Sequence, residues 1–247
     1  MIDLSRIDQS TLQEKPYQWA LIDRVFSTKD AHRLTRSYPH DHFKTVDGYD
    51  GEKGYKYEVR SLIGMGAIEP SHSLGLSPVW RRLAIQLLSA EYRQAMSRLT
   101  GQDLASLPIE VNVFHFGPGD WQGPHLDLED KTATHILYFN QARHSDEGGF
   151  FKVLGSKNPD DVSAEIAPVV GNSVVVVRSD RSWHMVSRVA ERSSTTRRSV
   201  TVTFYRPGSI STMWPPGDTT PLHFAPAHPD AGPWHRLTAA LGRRVPF

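Results

Sequence analysis

The stretch FHFGPGDWQGPHLD, residues 114–127, decides the interpretation of the whole chain. It runs from an apolar segment through a Gly- and Pro-rich turn to His125 and Asp127. Because alternate residues of an extended strand point to the same side, the imidazole of His125 and the carboxylate of Asp127 would face one point. Two histidines and one carboxylate form the ligand set that holds non-haem Fe(II) with open coordination positions. The stretch therefore predicts two of the three ligands of such a site.

His184 is the best candidate for the third ligand. It lies in RSWHMV, residues 181–186, in a predicted loop that follows a strand of four valines. Ligands at the ends of strands of one sheet system can converge, which favours a metal site. The chain has 12 histidines, so a His two residues from an Asp also arises by chance. An exposed loop histidine beside Trp183 is the alternative interpretation of His184.

Two further histidines are rival ligands. By strand alternation His115 lies on the side opposite Phe114, and His135 lies on the side opposite Tyr138. We therefore expect both to be structural, or to support the ligands from outside the coordination sphere.

The composition is that of an ordinary globular protein. The chain has 247 residues, of which 38% are hydrophobic and 22% are charged, so it is long enough to bury a substantial core. Its 28 basic and 27 acidic residues nearly cancel, which gives no electrostatic reason to expect nucleic acid or an anionic membrane as a partner. Because the chain has no cysteine, a metal would need nitrogen and oxygen ligands.

No segment has the character of a targeting or membrane-spanning sequence. The first eight residues, MIDLSRID, lack the apolar run of a signal peptide, and no stretch approaches the ~18 apolar residues of a membrane span. We therefore expect a cytoplasmic protein without a membrane partner. The composition leaves the oligomeric state open, and a homodimer is one expectation.

The order of predicted elements indicates a single domain in three parts. These are a helical shoulder and lid over residues 1–108, a jelly-roll core over 109–206 and a C-terminal extension over 207–247. Short strands rich in β-formers and separated by turn residues predict a mainly β fold with flanking helices, a double-stranded β-helix (jelly roll) of the cupin type. The predicted strands are 109–116, 133–140, 149–154, 164–170, 173–178 and 199–205.

Helices are predicted in the shoulder and in the extension. Ser27 or Thr28 would begin the first, which ends by Pro39. The second would run from Ser77 to Gly101 as one helix, with a proline in its first turn and an apolar stripe that packs on a sheet. A third is predicted over residues 234–241.

Five segments between residues 109 and 206 follow one another in a particular order. They are FGPGD with HLD, ILYFN, EGGF, the single His184, and RRSVT. In order and spacing they resemble the 2-oxoglutarate and Fe(II)-dependent dioxygenases, in particular the prolyl-hydroxylase-like branch. The resemblance implies that His125, Asp127 and His184 ligate Fe(II), with 2-oxoglutarate as co-substrate and O2 as oxidant. It also implies that succinate and CO2 are released.

Two adjacent arginines, Arg197 and Arg198, lie on the last predicted strand. A guanidinium is the natural partner for the distal carboxylate of 2-oxoglutarate, and alternation sends only one arginine into the pocket. The side of Arg197 carries hydroxyl residues, and the R-x-S pattern of the family fits it too, so we predict Arg197 with Ser199. A polar loop at 190–196 lengthens the spacing from His184 and leaves Arg198 open. The remaining alternative is that both arginines are surface charges on an edge strand.

Two further residues are candidate contacts to the co-substrate. Tyr138 matches a family position whose phenol reaches it, and an ordinary core tyrosine is the alternative. Asn112 is polar in an otherwise apolar strand, so we predict that it contacts the co-substrate or the primary substrate.

Together these predictions favour an enzyme that hydroxylates a free small molecule, such as an amino acid or a specialised metabolite. The stretch 47–66, rich in Gly, Tyr and charge, predicts a hairpin or a mobile loop. Three candidate lids, at 47–60, 141–146 and 207–224, carry both signs of charge and several aromatics, so a peptidyl or protein prolyl substrate is an alternative. A nucleic-acid dealkylating dioxygenase would require a basic stripe that we do not find. A non-catalytic, cupin-like metal or ligand binder is the last alternative, and it would bind metal without forming succinate.

Overall fold

Antiparallel pairing joins the strands into one curled sheet with helices on its outer face. The computed structural model describes residues 1–49, 54–142 and 144–225. The helices are α1 Leu4–Asp8, α2 Thr28–Arg36, α3 Pro78–Leu88 and α4 Ala90–Thr100. The strands are β1 Trp19–Ile22, β2 Lys44–Tyr49, β3 Gly54–Ile63, β4 Ile109–Phe116, β5 Trp121–His125, β6 Lys131–Tyr138, β7 Phe151–Leu154, β8 Val162–Ile166, β9 Ser173–Val177, β10 His184–Val186 and β11 Arg197–Tyr205.

The sheet folds into two walls that face each other. The larger wall has the order β1-β9-β6-β11-β4-β3, with β2 paired to β3, and the smaller wall has the order β5-β10-β7-β8. The two walls are joined where β3 pairs with β5. This arrangement confirms the predicted fold class, a mainly β jelly roll of the cupin type with flanking helices.

The helices pack on the outer face of the larger wall and build the main core. Trp80 and Leu83 of α3 share this core with Val111 of β4 and Val202 of β11, and all four are fully buried. The indole of Trp80 donates a hydrogen bond to the carbonyl of Leu34 at 3.0 Å, which ties α3 to α2. The predicted apolar stripe thus does pack on a sheet. The opposite face of the same wall is left for the cavity.

The helix predicted over 77–101 is two helices, because the backbone of Ser89 is extended (φ −69°, ψ 152°). Its side chain accepts a hydrogen bond from the amide of Tyr92 at 3.2 Å and so caps α4. Ser77 makes no capping bond and instead lies 2.9 Å from the hydroxyl of Ser37. The first predicted helix is confirmed, with Ser27 as its N-cap.

Strand β1 was missed by the sequence pattern, whereas a hairpin was one of the two states predicted for residues 47–66. The region 1–108 contributes β1 and the β2–β3 hairpin to the sheet, which therefore extends beyond the predicted core range of 109–206. The hairpin accounts for the segment 47–66, whose residues 50–53 lie outside the described ranges. His184 was predicted in a loop, but it is the first residue of β10.

None of the helices in the described ranges has the length and hydrophobicity needed to cross a bilayer. The helix predicted over 234–241 lies outside the described residues.

Candidate metal centre and co-substrate pocket

His125 and His184 are directly opposite each other in the smaller wall. They are paired residues of β5 and β10, although 58 other residues separate them in the chain, and their ring centroids lie 4.3 Å apart. Nδ1 of His125 lies 2.9 Å from the carbonyl of Gly123, and Nδ1 of His184 lies 2.8 Å from that of Ser182. A carbonyl only accepts, so Nδ1 carries the proton and Nε2 carries the ligating lone pair. Both rings therefore have the tautomer that a metal requires.

Asp127 follows β5 and stays ionised. Lys131 Nζ donates to its Oδ1 at 2.6 Å, and the hydroxyl of Thr134 donates to its Oδ2 at 3.0 Å. Burial raises the pKa of the Asp127 carboxyl, but the charges of Lys131, His184 and His125 outweigh burial and hold that pKa well below its usual range. An ionised carboxylate is the form that binds a cation.

These three side chains form a cluster that can hold one metal ion. One potential ligand atom from each of His125, Asp127 and His184 lies within 4.8 Å of the other two, and all three residues are buried. Within the described ranges no other group of His, Asp and Glu side chains is similarly arranged. Two imidazoles and one carboxylate suit ferrous iron and leave coordination positions for other ligands.

The two adjacent arginines point to opposite faces of β11. Arg197 is 2% exposed, lines the cavity and donates to the hydroxyl of Ser199 at 2.7 Å. Arg198 faces the helices, where it lies over the ring of Tyr38 at 5.4 Å and donates to the carbonyl of Thr35 at 3.5 Å. Both are buried and β11 is a central strand, so the surface-charge alternative is wrong.

Polar atoms near Arg197 fit a carboxylate ligand. In the described part of the protein, Nε of Arg197 and the hydroxyl of Tyr138 are buried and make no hydrogen bond, and no carboxylate pairs with the guanidinium. Burial raises the pKa of Tyr138 well above its usual range, so its phenol remains a proton donor. Buried polar groups are normally satisfied, and an anion that bridges these two groups would satisfy both.

The other predicted co-substrate residues divide into two cases. Ser199 lines the cavity beside Arg197, whereas Tyr138, its partner in β6, lies on the same side of the sheet but is fully buried and is not among the lining residues. Asn112 lies on that side of the sheet too, but it is not among the residues that line the cavity. Its amide donates to Glu110 at 3.1 Å and accepts from the indole of Trp214 at 2.8 Å. Its contact with the co-substrate stays a prediction.

The cavity between the two walls has a volume of about 370 Å³. The candidate ligands stand on the smaller wall and Arg197 on the larger one, so both face the same space. Of the candidate lids, the hairpin and the C-terminal segment line it, whereas the described residues of 141–146 do not. Its lining includes Val46, Tyr55, Tyr57, Phe114, Phe116, Ile136, Phe151, Val186, Thr201, Thr212 and Met213.

Sequence reasoning missed Lys131 and Thr134, which hold Asp127. Strand alternation gave a usable signal for Thr134, because it shares a side of β6 with Ile136 and Tyr138. Lys131 carried no such signal, because the register of β6 against β11 shifts near it.

The rival histidines lie on the helix side of the sheet. Nδ1 of His135 lies 2.9 Å from the hydroxyl of Tyr92, and Nε2 of His115 lies 3.0 Å from that of Thr196. Neither lines the cavity. The prediction that neither is a ligand agrees with this placement.

Residues 110–205 match the profile of the 2OG-Fe(II) oxygenase superfamily. This part of the chain belongs to that superfamily. The protein is a 2-oxoglutarate-dependent dioxygenase, and the cofactors of its superfamily are Fe(II), 2-oxoglutarate and O2. The matched range contains all three candidate metal ligands and Arg197.

Solved structures of other oxygenases share the fold of this dioxygenase. A prolyl-4-hydroxylase from Pseudomonas putida is 17% identical with a TM-score of 0.54, over 82% of this chain and 98% of that one. A 2OG-Fe(II) oxygenase family oxidoreductase from Burkholderia pseudomallei is 17% identical with a TM-score of 0.52, over 76% and 85% of the two chains. A Trichoplax adhaerens prolyl hydroxylase, solved with a peptide fragment of hypoxia inducible factor, is 17% identical with a TM-score of 0.50, over 83% and 87%. No curated protein is significantly similar in sequence.

Proposed function

We propose that this dioxygenase hydroxylates a C–H bond of a small molecule at the His125, Asp127 and His184 cluster. The observation that carries the proposal is one cavity that contains both this cluster and a buried arginine with no carboxylate partner among the described residues. A dicarboxylate could bind a metal through one end and the Arg197 guanidinium through the other. 2-Oxoglutarate has this form.

Each side chain has a defined role in the proposal. When bound, Fe(II) with 2-oxoglutarate and O2 supplies the oxidation, which places one oxygen atom in the substrate and forms succinate and CO2. His125 and His184 present Nε2 to the metal, and Asp127 remains ionised beside Lys131. Arg197 and Ser199 bind the distal carboxylate of the co-substrate, to which the hydroxyl of Tyr138 donates. The apolar lining excludes bulk water.

The C-terminal strap, residues 209–225, supports a small substrate. Its residue Met213 lines the cavity and accepts a hydrogen bond from Lys44 at 2.5 Å. Lys44 also pairs with Asp218 and lies 4.2 Å from the ring of Trp214. Main-chain bonds between Phe43 and His223 fix the far end of the strap. Because the strap is held at several points beside the cavity, it leaves less room for an extended polypeptide to enter the cavity.

A panel of candidate substrates tests the proposal. Free amino acids, other small metabolites and proline-containing peptides would be incubated with Fe(II), 2-oxoglutarate and O2, and mass spectrometry would detect the gain of one oxygen atom alongside an equal amount of succinate. We expect a hydroxylated small molecule from the wild-type protein and from His32→Ala, an exposed histidine outside the cavity. His184→Ala should form no product. Product from peptides alone would instead establish the peptidyl alternative.

A further inference from the structure

A second cation faces the cavity, close to the candidate metal ligands. The described residues that line the cavity include five ionisable side chains besides tyrosines. They are the candidate ligands His125, Asp127 and His184, together with Lys131 and Arg197. Arg197 is assigned to the co-substrate. The proposed function uses Lys131 only as the partner of Asp127, although its side chain is 19% exposed.

The charges in the cavity do not balance when metal and co-substrate are bound. Fe(II) and the dianion of 2-oxoglutarate cancel each other, so the cavity keeps the charge of its own side chains. For the described lining that charge is one positive, because Lys131 and Arg197 outnumber Asp127. An uncompensated charge in a partly dry cavity is unfavourable, so a substrate with a negative group is favoured there.

Glu110 does not supply the missing negative charge within the cavity. It lies outside the lining, where it accepts from the amide of Asn112 at 3.1 Å and lies 3.5 Å from the hydroxyl of Tyr205. Burial raises the pKa of its carboxyl, and the hydrogen bonds from Ser211 and Asn112 and the charge of Lys131 only partly offset that effect.

Lys131 is placed to accept a further ligand. An ammonium group has three donors, and in the described residues the side chain of Lys131 makes one hydrogen bond, to Asp127. Once Asp127 shares its charge with a metal ion, its attraction for Lys131 is weaker. The two remaining donors can then bind an anionic group near the metal.

The wall formed by β3 and β4 is aromatic and suits the apolar part of a ligand. Tyr55, Tyr57 and Phe114 line the cavity, and the rings of Tyr57 and Phe114 meet edge to face at 5.3 Å. An apolar body against these rings would leave a charged group to reach a cation elsewhere in the cavity.

We propose that the primary substrate is a small apolar carboxylate whose carboxylate binds Lys131 and whose apolar part packs against Tyr55, Tyr57 and Phe114. This inference rests on the proposed function, because it assumes that Fe(II) and 2-oxoglutarate occupy the same cavity. Lys131 is then a specificity-determining residue in addition to supporting Asp127.

Matched pairs of acids and amides test the inference by binding alone. Isothermal titration under anaerobic conditions would measure aromatic and aliphatic acids, such as 3-phenylpropanoate, against their primary amides, on the protein loaded with Fe(II) and 2-oxoglutarate. We expect at least one acid to bind about tenfold or more tightly than its amide. In Lys131→Met the preference should vanish, and in Lys131→Arg it should persist. Lys152→Met is the matched control, since Lys152 pairs with Glu165 outside the cavity.

The possible results separate this inference from the proposed function. A panel in which no acid binds more tightly than its amide overturns the inference, as does a preference that survives in Lys131→Met. Titration of Fe(II) and 2-oxoglutarate on the wild-type protein is read separately, and failure of those ligands to bind would overturn the proposed function itself. Weaker Fe(II) binding in Lys131→Met with an unchanged acid preference would limit Lys131 to positioning Asp127.

Discussion

Two neighbouring arginines on β11 have different surroundings, and this difference can be measured. Arg197→Met should weaken 2-oxoglutarate binding by about tenfold or more, because it removes the guanidinium that faces the cavity. Arg198→Met should leave that affinity unchanged and lower the stability, because Arg198 is buried against Tyr38 and the carbonyl of Thr35. Calorimetric titration of 2-oxoglutarate and urea unfolding of both variants provide the measurements. The reverse pattern would assign the co-substrate to Arg198.

The hydroxyl of Tyr138 is predicted to contact 2-oxoglutarate, and removal of this single group tests that role. Within the described residues the hydroxyl interacts with the guanidinium of Arg197 but makes no hydrogen bond of normal geometry, so Tyr138→Phe removes little that stabilises the ligand-free protein. We expect unchanged or slightly higher stability together with a several-fold loss of 2-oxoglutarate affinity. Thermal unfolding with and without 2-oxoglutarate measures both effects. A variant that is less stable without ligand and normal in affinity would make Tyr138 an ordinary core residue.

At the scale of elements, prediction succeeded for a long continuous strand and failed where a strand was very short or where one residue divided a helix. β4 was predicted with its observed bounds, because eight consecutive residues keep a strong β pattern. β10 has three residues, which is too few to show alternation, so His184 was identified by residue type and not by its strand. Ser89 interrupts an unbroken apolar periodicity, and its extended backbone could not be inferred from composition. The clustering of His125, Asp127 and His184 was predictable from the sequence. The positions of Lys131 and of the aromatic residues on β3 and β4 depended on the pairing of distant strands.

The contact between His135 of β6 and Tyr92 of α4 should make the free energy of unfolding depend on pH in the acidic range. His135 is fully buried against Tyr92, and burial lowers its pKa to about 3. In the unfolded chain the imidazole of His135 takes up a proton near the ordinary histidine pKa of about 6.5, and in the folded protein it stays neutral. The free energy of unfolding therefore falls as the pH drops below about 6.5. Between pH 7 and pH 5 this group should account for a loss of about 2 kcal/mol.

Urea unfolding at pH 5, 6 and 7 tests this expectation with His135→Gln, which cannot titrate. The loss of stability between pH 7 and pH 5 should be smaller in this variant by about 2 kcal/mol than in the wild-type protein. His32→Gln, at an exposed position on α2, should behave as the wild type. An identical pH dependence in all three proteins would contradict a neutral His135.

For the whole molecule, the metal centre should be separable from folding. His125 and His184 are paired by the sheet itself, and Lys131 and Thr134 hold Asp127 without a metal. Removal of metal with a chelator should therefore abolish hydroxylation and leave cooperative unfolding intact. Added Fe(II) should raise the melting temperature, as expected for a ligand that binds the folded state. Loss of the near-ultraviolet circular dichroism of the chelated protein would contradict a preformed site.

The C-terminal strap should open when its anchor on β2 is removed. Lys44→Met loses the bond to Met213, the ion pair with Asp218 and the contact with Trp214. Thermolysin should then cleave the bond between Thr212 and Met213 faster by about threefold or more, because local opening exposes the strap. Mass spectrometry of the fragments measures the rate, with Lys152→Met as the control. Equal cleavage of both variants would show that Lys44 does not hold the strap.

The cavity takes its lining from three stretches of chain, and only one of them lies within residues 110–205. Val46 and Tyr55 come from the β2–β3 hairpin before that range, and Met213 comes from the strap after it. Part of the surface that faces the substrate is therefore encoded outside the range that contains the candidate metal ligands. Exchange of these two outer stretches between related proteins would change the residues that face the substrate and would leave the candidate metal ligands as they are.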